Sequence, residues 1–571
     1  MARFNRRTVY LLLFAIVLVS LALRYPLVEH ERHNDTYFAQ LLAESIKEED
    51  RALWTFNPLS YVGYYPASYP SGLSFLLAEF SELTGLKVDL TILLEGFFFG
   101  ILFALAVFCL SRQFGMRAEY SLLVTFLASV APRFVDNSYW NGGARAPFIV
   151  LAVLLVLVAV KAGSTRQTPL YVFVPILLVG CFAFHHMAIL FILFGMAYVL
   201  SAVIYHASAS NSLIGKSRRH RRLTASMVLL SSGLAVVVIS ILFLDYFEKD
   251  VITGFEKTSL FGFKPAFISA FLNLAASYVN QVGFILVFAI LGIPFVLRKC
   301  RISSELLFLI TLLIVFIPLL ANALYISMLL APFVTILGTT WIKLTMNGKR
   351  KRAAVLAVSL LILSSVVLPV WSINRWNLGA DLSGDTVQGD SRLFNDGAYL
   401  AQFNDEALAI SNVDVVGRRL SATSGVVFPW MGVESALSGD VTRESIEQNL
   451  IWGHQDFPKN LYIWFDYEGG PRLDFLIIVF FLQGASFPAG PGDNMPSGVG
   501  YYESHSRLLV VVDNSWSSNY VWVWGVMSAK LPSELMNAKW TDISSRVALP
   551  LSSYMIYQSE RISLFALEVP E

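Results

Sequence analysis

The sequence predicts an α-helical polytopic membrane protein with about eleven spans, followed by an external domain of mixed α/β structure. Three observations favour this fold class. Hydrophobic residues make up 56% of the 571 positions and come in runs of membrane-spanning length. When these runs are counted as spans, the strongly basic segments between them all fall on one side of the membrane. Hydropathy and charge both change near residue 373.

A basic N-terminal segment precedes the first predicted span and is placed on the cytoplasmic side. No small-residue cleavage site precedes Arg24-Tyr25-Pro26, so the first apolar run is interpreted as a retained signal anchor. The spans are 8–28, 88–110, 119–132, 146–161, 169–185, 187–206, 224–244, 281–297, 305–320, 323–342 and 353–372. The cytoplasmic side then receives the basic loops 112–117, 161–166, 216–222, 298–301 and 343–352. The external side receives the loops 29–87, 132–145, 185–186 and 245–280, and everything after residue 373.

Two domains follow from this pattern. Residues 1–372 form a polytopic membrane domain with a long first external loop at 29–87, and residues 373–571 form an extracytoplasmic domain. From residue 373 onward there are 12 Lys and Arg against 23 Asp and Glu, whereas the preceding part has 30 against 18. The basic excess belongs to short membrane loops, so nothing indicates nucleic-acid binding. The chain is therefore expected in the plasma membrane, in contact with its lipids.

The predicted C-terminal domain alternates short apolar runs with turns, which is typical of strands. Two segments between these runs have a helical pattern, at 443–451 and 533–538. The predicted strands are 407–412, 425–430, 461–467, 475–482, 508–513, 520–527 and 563–569.

The first external loop carries the most site-like pattern in the chain. Asp35 stands just beyond the first span among other polar residues, and polar groups so close to a bilayer are costly unless they are solvated or used. After it the apolar spacing at 37–46 predicts an amphipathic helix, for which Asn34 or Asp35 can act as N-cap. The tract 64–72 opens a second amphipathic helix at 73–83. Two interfacial helices that present a carboxylate indicate a site at the membrane surface.

The spans themselves are nearly free of charge, which disfavours a transporter, whose ionisable groups lie near mid-membrane. Glu95, about two turns into the second span, is the main exception. It either contributes to a site or reaches the surface from its place near the helix end.

The first external loop resembles that of the GT-C glycosyltransferases. The segments HNDTYFAQLLAESI and YPSGLSFLLAEFSELTGL are similar to the first external loop of archaeal members, including relatives of the oligosaccharyltransferase catalytic subunit. The many-span body and the C-terminal external domain also fit that family. As a motif the resemblance covers about sixty residues, and as an architecture it covers most of the chain.

The resemblance implies a transferase that uses a sugar on polyprenyl phosphate or diphosphate, with the head group at the outer leaflet. A carboxylate of the first external loop would activate an acceptor lipid, glycan or protein, and Asp35 matches its position. A general base for the acceptor proton and cations for the leaving phosphate are what the chemistry requires. The other interpretation of Asp35 is a helix cap alone.

Further candidates lie in the other external loops. Arg133 and Arg145 flank the flexible turn Asn141-Gly142-Gly143, and arginine is suited to clamp a phosphate. His185 and His186 lie at an external turn, where one imidazole could line the substrate pocket. Asp136 could join Asp35 and a further loop acid as oxygen ligands of a divalent cation such as Mg²⁺ or Mn²⁺.

The sequence departs from the oligosaccharyltransferases in two places. Those enzymes carry paired acids in the second external loop, whereas here there is only Asp136. They also carry a WWDYG motif, to which only Trp464-Phe465-Asp466-Tyr467-Glu468 is similar. Transfer to a protein sequon is therefore not implied. The rival hypothesis is a non-catalytic receptor or scaffold whose external domain binds an envelope partner.

Overall fold

A computed structural model describes the chain at residues 4–27, 30–31, 34–49, 72–165, 167–210, 266–299, 304–319, 323–346, 351–377, 391–403, 407–411, 414–426, 507–513, 520–523, 526–530, 553–559 and 562–567. The backbones of Asp35 and His186 are included, whereas their side chains lie outside the description.

The first part of the chain is a series of helices. It begins with α1 (Arg6–Ala22) and the two helices of the first external loop, α2 (Asn34–Glu49) and α3 (Gly72–Thr84), which confirm the predicted helices there. The next helices are α4 (Val88–Gln113), α5 (Ala118–Ser129), α6 (Pro132–Asp136), α7 (Arg145–Thr165), α8 (Thr168–Phe184), a 3₁₀ helix (His186–Leu190) and α9 (Phe191–Ser210). Then follow α10 (Ala266–Val282), α11 (Ile285–Lys299), α12 (Ser304–Val315), a 3₁₀ helix (Ile317–Leu319), α13 (Ala323–Met346) and α14 (Lys351–Asn377).

Each predicted span overlaps a helix wherever the chain is described, and 224–244 lies outside the described residues. Two predicted boundaries are wrong, because 8–28 extends beyond the end of α1 at Ala22 and 281–297 crosses the break between α10 and α11. Within the described part, the helices long and apolar enough to cross a membrane are Val88–Gln113, Arg145–Thr165, Ile326–Met346 and Val355–Ile373. A pair bent by 113°, Leu274–Val282 and Ile285–Pro294, would add a fifth. The bend falls at Gly283, whose φ of 92° suits glycine. The chain is thus a helical membrane protein, and the count of eleven spans stays a prediction.

The bundle has an apolar core and an apolar exterior. Phe103, Phe148 and Phe333 are among the fully buried side chains of the core. The outer faces of α8 and α14 are also apolar, with Val179 68% and Leu363 63% exposed. Such exposed apolar faces suit contact with lipid chains, because the hydrocarbon region of a bilayer contains no water to solvate polar groups.

The packing of α4 against the second external loop gives a testable contrast between two helical glycines. A Cβ atom on Gly96 would lie 2.4 Å from the carbonyl oxygen of Ser138, whereas a Cβ atom on Gly195 of α9 would have no neighbour within 4 Å. We expect Gly96→Ala to lower the free energy of unfolding by about 1–3 kcal/mol. Gly195→Ala should raise it by about 0.5–1 kcal/mol, because alanine has the higher helix propensity. Thermal denaturation of the purified variants in detergent tests this contrast, and equal melting temperatures would contradict it.

The described part of the C-terminal domain is a mixed α/β structure. Helices α15 (Ser391–Leu400) and α16 (Asp414–Ser424) flank strand β1 (Ala407–Ser411) in the chain. The later strands are β2 (Arg507–Asp513), β3 (Tyr520–Val523), β4 (Val526–Lys530), β5 (Ser553–Gln558) and β6 (Ile562–Leu567). One sheet has the order β1-β2-β6-β5, with β1 parallel to β2 and the other pairs antiparallel, and β3 pairs antiparallel with β4. The core of this part of the chain is formed by apolar side chains of α15, α16 and the four-stranded sheet, including Leu420, Val511 and Leu564.

Several strand predictions are confirmed in this domain. Strands β1, β2 and β6 match the predicted 407–412, 508–513 and 563–569, and the predicted 520–527 divides into β3 and β4. Helices α15 and α16 and strand β5 were not predicted. The predicted elements at 443–451, 461–467, 475–482 and 533–538 lie outside the described residues, as does 425–430 apart from its first two residues.

Candidate active site

The start of helix α2 is attached to the second external loop. Oγ1 of Thr36 accepts a hydrogen bond of 2.9 Å from the backbone N–H of Gly142. The backbones approach closely, since a Cβ atom on Gly142 would lie 3.3 Å from Cα of Thr36. The helix begins at Asn34, so Asp35 lies in its first turn, directly before Thr36. The expectation that Asn34 or Asp35 is the N-cap is therefore wrong, because both residues already belong to the helix. The structure therefore brings the backbone of Asp35 to the turn at 141–143.

That turn is held by its own hydrogen bonds and by α4. Oδ1 of Asn141 accepts a hydrogen bond of 2.9 Å from the N–H of Gly143, and its Nδ2 donates to the carbonyl of Asp136 at 3.3 Å. Trp140 has a φ of 44°, which is costly for a bulky residue. Its buried indole N–H donates to the carbonyl of Asp89 in the first turn of α4, at 2.9 Å. These bonds give the loop a defined position against α4.

The predicted phosphate-binding residues lie on both sides of this turn. Nη1 of Arg133 forms an ion pair of 2.9 Å with Oδ2 of Asp136, three residues on in α6, and the two side chains are 10% and 12% exposed. Asp136 therefore orients the guanidinium of Arg133. Arg145 is the first residue of α7 and is half-buried.

Arg24, just beyond α1, connects the first span to the same loop. It is fully buried and donates to Oγ of Ser138 at 2.8 Å and to the carbonyl and Oγ of Ser20 at 2.8 and 2.7 Å. Its guanidinium lies 4.9 Å from the ring centroid of Phe134. Gly100 of α4 leaves room for it, since a Cβ atom there would lie 2.9 Å from Nε of Arg24. The sequence analysis did not identify this role, because it placed Arg24 inside the first predicted span, 8–28, whereas α1 ends at Ala22.

The histidine turn joins α8 to α9. His185 is 5% exposed, and its Nδ1 accepts a hydrogen bond of 3.1 Å from the N–H of Met187. This bond satisfies a backbone donor at the start of the 3₁₀ helix, as an N-cap does. His185 thus has a structural contact, and its part in a substrate pocket stays a prediction. The side chain of His186 lies outside the description.

A buried charged cluster joins the first external loop to the C-terminal domain. Nη1 of Arg419 on α16 donates to the hydroxyl of Tyr37 on α2. The guanidinium lies over the rings of Tyr37 and Phe394, at 4.9 and 4.2 Å. His30 stacks on Phe394 with the ring centroids 3.4 Å apart. Glu31 and Arg419 are both fully buried.

The sequence analysis missed this cluster. Glu31 and Arg419 each lie in a charged run, and such runs usually face solvent. The amphipathic pattern of Asp414–Ser424 was the available signal, because it places Val416, Arg419 and Leu420 on one face of a helix.

The buried Glu31 gives a prediction about pH. Burial raises the pKa of its carboxyl above the ordinary 4.5, while attraction by Arg419 partly opposes this. The folded state then binds this proton more tightly than the unfolded chain. The stabilising contribution of Glu31 is therefore fully present below about pH 4.5 and is lost as the pH rises through the higher folded-state pKa. Glu31→Gln should match the wild type in free energy of unfolding at pH 4 and exceed it by about 1–2 kcal/mol at pH 7–8, where it should also have the higher melting temperature. Parallel melting curves across this range would contradict the prediction.

Glu95 is buried inside the bundle. It is 6% exposed, and neither of its carboxylate oxygens has a hydrogen-bond partner within the described residues. The expectation that it could reach the surface is wrong, because the buried face of α4 includes it. A role for Glu95 in the site stays a prediction.

The described residues do not present a ready metal centre. No group of three His, Cys, Asp or Glu side chains among them lies close enough to hold an ion. A divalent cation on Asp35 and Asp136 would need a further oxygen ligand.

No protein-family model and no curated protein sequence matches the chain. Among solved structures, it is similar to the arabinofuranosyltransferase AftD from mycobacteria, with a TM-score of 0.42 and 11% identity over 100% of this chain and 40% of AftD. It is also similar to two structures of ArnT from Cupriavidus metallidurans, each with 13% identity. The apo form has a TM-score of 0.38 over 98% of this chain and 97% of ArnT. The form bound to undecaprenyl phosphate has a TM-score of 0.42 over 98% of both chains.

AftD and ArnT are GT-C glycosyltransferases, the family that the first external loop resembles. This chain spans about two fifths of AftD. With TM-scores below 0.5, the similarity identifies structural neighbours and does not assign an activity.

Proposed function

We propose that the chain is a GT-C-type glycosyltransferase that moves a sugar or glycan from a polyprenyl phosphate or diphosphate carrier to a lipid, glycan or protein acceptor. The observation that carries the proposal is the junction between Thr36 and Gly142. It supports a transfer site because the helix start that contains Asp35 adjoins a loop flanked by Arg133 and Arg145.

The proposed reaction uses these groups in distinct roles. The acceptor hydroxyl attacks the anomeric carbon, the bond between that carbon and the phosphate oxygen breaks, and the carrier phosphate leaves with the bonding electrons. The carboxylate of Asp35 takes the acceptor proton. Arg133, oriented by Asp136, and Arg145 stabilise the negative charge that develops on the phosphate.

The position of the junction suits a carrier held in a membrane. Arg24 and residues 137–143 lie where α1 and α5 end and where α4 and α7 begin. This is one end of the apolar bundle. A polyprenyl chain can lie along apolar helices while its head group stays at their end. The proposal assigns this end to the external face of the plasma membrane, together with residues 373–571, and the N-terminus to the cytoplasm.

The test is transfer by the purified protein in liposomes that contain labelled sugars on polyprenyl phosphate. We expect a labelled acceptor product and a matching release of polyprenyl phosphate. Turnover from a nucleotide sugar without any lipid carrier would contradict the proposal. Binding of an envelope protein to the wild type without turnover of any lipid-linked donor would favour a receptor instead.

A further inference from the structure

The cluster between the first external loop and the C-terminal domain contains polar groups that other side chains do not satisfy. Among the described residues, neither Nε nor Nη2 of Arg419 has a hydrogen-bond partner. The same holds for both carboxylate oxygens of Glu31, apart from a weak contact with its own backbone N–H. Leaving such groups buried and unpaired is expensive, and the cost is largest for charged groups. The arrangement therefore suggests a ligand that pairs with them.

The unpaired atoms of Arg419 form a specific shape. Nη1 donates to the hydroxyl of Tyr37, and the rings of Tyr37 and Phe394 hold the guanidinium plane. Nε and Nη2 lie on the same edge of a guanidinium and donate two parallel hydrogen bonds. That edge matches two oxygens of a phosphate or a carboxylate. Arg419 is thus fixed in orientation, with a buried edge of two donors that have no hydrogen-bond partner among the described residues.

Glu31 offers complementary chemistry. It is close enough to Arg419 and to Asp89 for both to affect its pKa, yet it does not hydrogen-bond to Arg419. A carboxylate accepts hydrogen bonds from hydroxyl groups. A ligand that satisfies both residues therefore carries anionic oxygens and hydroxyls close together, as a glycosyl phosphate does.

The cluster also adjoins the junction described above. Tyr37, which holds Arg419, lies two residues after Asp35 on α2. Asp89, near Glu31, accepts the indole hydrogen bond of Trp140, and Trp140 directly precedes the turn at 141–143.

We propose that Arg419 of the C-terminal domain binds the phosphate of the lipid-linked sugar and that Glu31 accepts hydrogen bonds from its hydroxyl groups. This inference rests on the proposed function, because it places the donor head group beside Asp35. The C-terminal domain then completes the donor site, and its contact with α2 has a direct function.

The test is equilibrium binding to the full chain in nanodiscs, with farnesyl phosphate, farnesol and inorganic phosphate as probes. Arg419→Gln should bind farnesyl phosphate about 10- to 100-fold more weakly than the wild type and should leave the binding of farnesol unchanged. Arg419→Lys keeps the charge without the two-pronged edge, so it should lose less affinity, with a melting temperature near that of the wild type. Glu31→Ala removes the acceptor for the hydroxyl groups, so it should weaken the binding of a farnesyl phosphate that carries a sugar. The control Glu79→Gln, at an exposed carboxylate of α3, should bind every probe as tightly as the wild type.

The outcomes separate this inference from the proposed function. Unchanged binding of farnesyl phosphate by Arg419→Gln would overturn the inference. The inference would also be overturned if Arg419→Gln and Glu31→Gln lost the same binding affinity for farnesyl phosphate and the same thermal stability. The two residues would then be a structural ion pair. A third outcome is that inorganic phosphate binds the wild type as tightly as farnesyl phosphate does, and that Arg419→Gln binds neither. That outcome would support the anion site and contradict the lipid carrier of the proposed function.

Discussion

Asp35→Asn should lower the rate of sugar transfer by about 10²- to 10⁴-fold, the usual contribution of a general base. Asparagine is nearly isosteric with aspartate, and residue 35 lies within the first turn of α2, so that turn should persist. Loss of the charge near a helix N-terminus costs only about 0.3–1 kcal/mol of stability. The variant therefore tests the catalytic role of Asp35 with little change to the start of the helix. Initial rates with a labelled lipid-linked donor, at equal amounts of folded protein, measure the effect.

The matched control is Glu79→Gln on α3, which changes an exposed carboxylate in the same external loop. We expect it to transfer sugar at the wild-type rate. Asp35→Ala should lose as much activity as Asp35→Asn, because both variants remove the carboxylate. If Asp35→Asn keeps full activity, the base lies elsewhere, and Asp136 and Glu31 are the next residues to test.

Arg24→Ala should cause the largest loss of stability among the changes considered, about 2–4 kcal/mol. Alanine removes the hydrogen bonds to Ser20 and Ser138 and leaves a cavity where the guanidinium fills the space beside Gly100. Because Ser138 precedes the turn at 141–143, the variant should also reduce transfer at temperatures where it remains folded. Thermal denaturation in detergent measures the stability change.

Arg352→Ala is the corresponding control, because that arginine is exposed at the start of α14. It should melt within about 0.5 kcal/mol of the wild type, as exposed substitutions usually do. Equal melting of Arg24→Ala and the wild type would mean that the Arg24 contacts do not support the fold.

Hydrophobic patterns predicted the local structure well. The apolar runs identify the membrane helices, and the spacing at 37–46 and 73–83 predicts α2 and α3. In the C-terminal domain, β1, β2 and β6 are short apolar runs between turns, so they were found. Strand β5 was missed because Ser553–Gln558 is polar at both ends.

Long-range contacts between charged residues could not be predicted in this way. Arg419 and Tyr37 are 382 positions apart, and no periodicity relates them. A charged residue in a polar run has the composition of an exposed loop, whereas in the structure Arg419 packs against Tyr37 of α2 and Phe394 of α15 and is buried. Arg24 was missed for the same reason, because it is the approach of α4 at Gly100 that encloses it. The sequence therefore predicted the loops that meet at the site better than the contacts within it.

We propose that the carrier head group binds where the first and second external loops meet. Photo-crosslinking with a polyprenyl phosphate that carries a benzophenone, followed by peptide mapping, tests this without requiring turnover. We predict labelling within residues 30–49 and 130–147 that unlabelled polyprenyl phosphate competes away. Competed labelling confined to the opposite ends of the helices, at 112–118, 161–168 or 343–352, would contradict the claim.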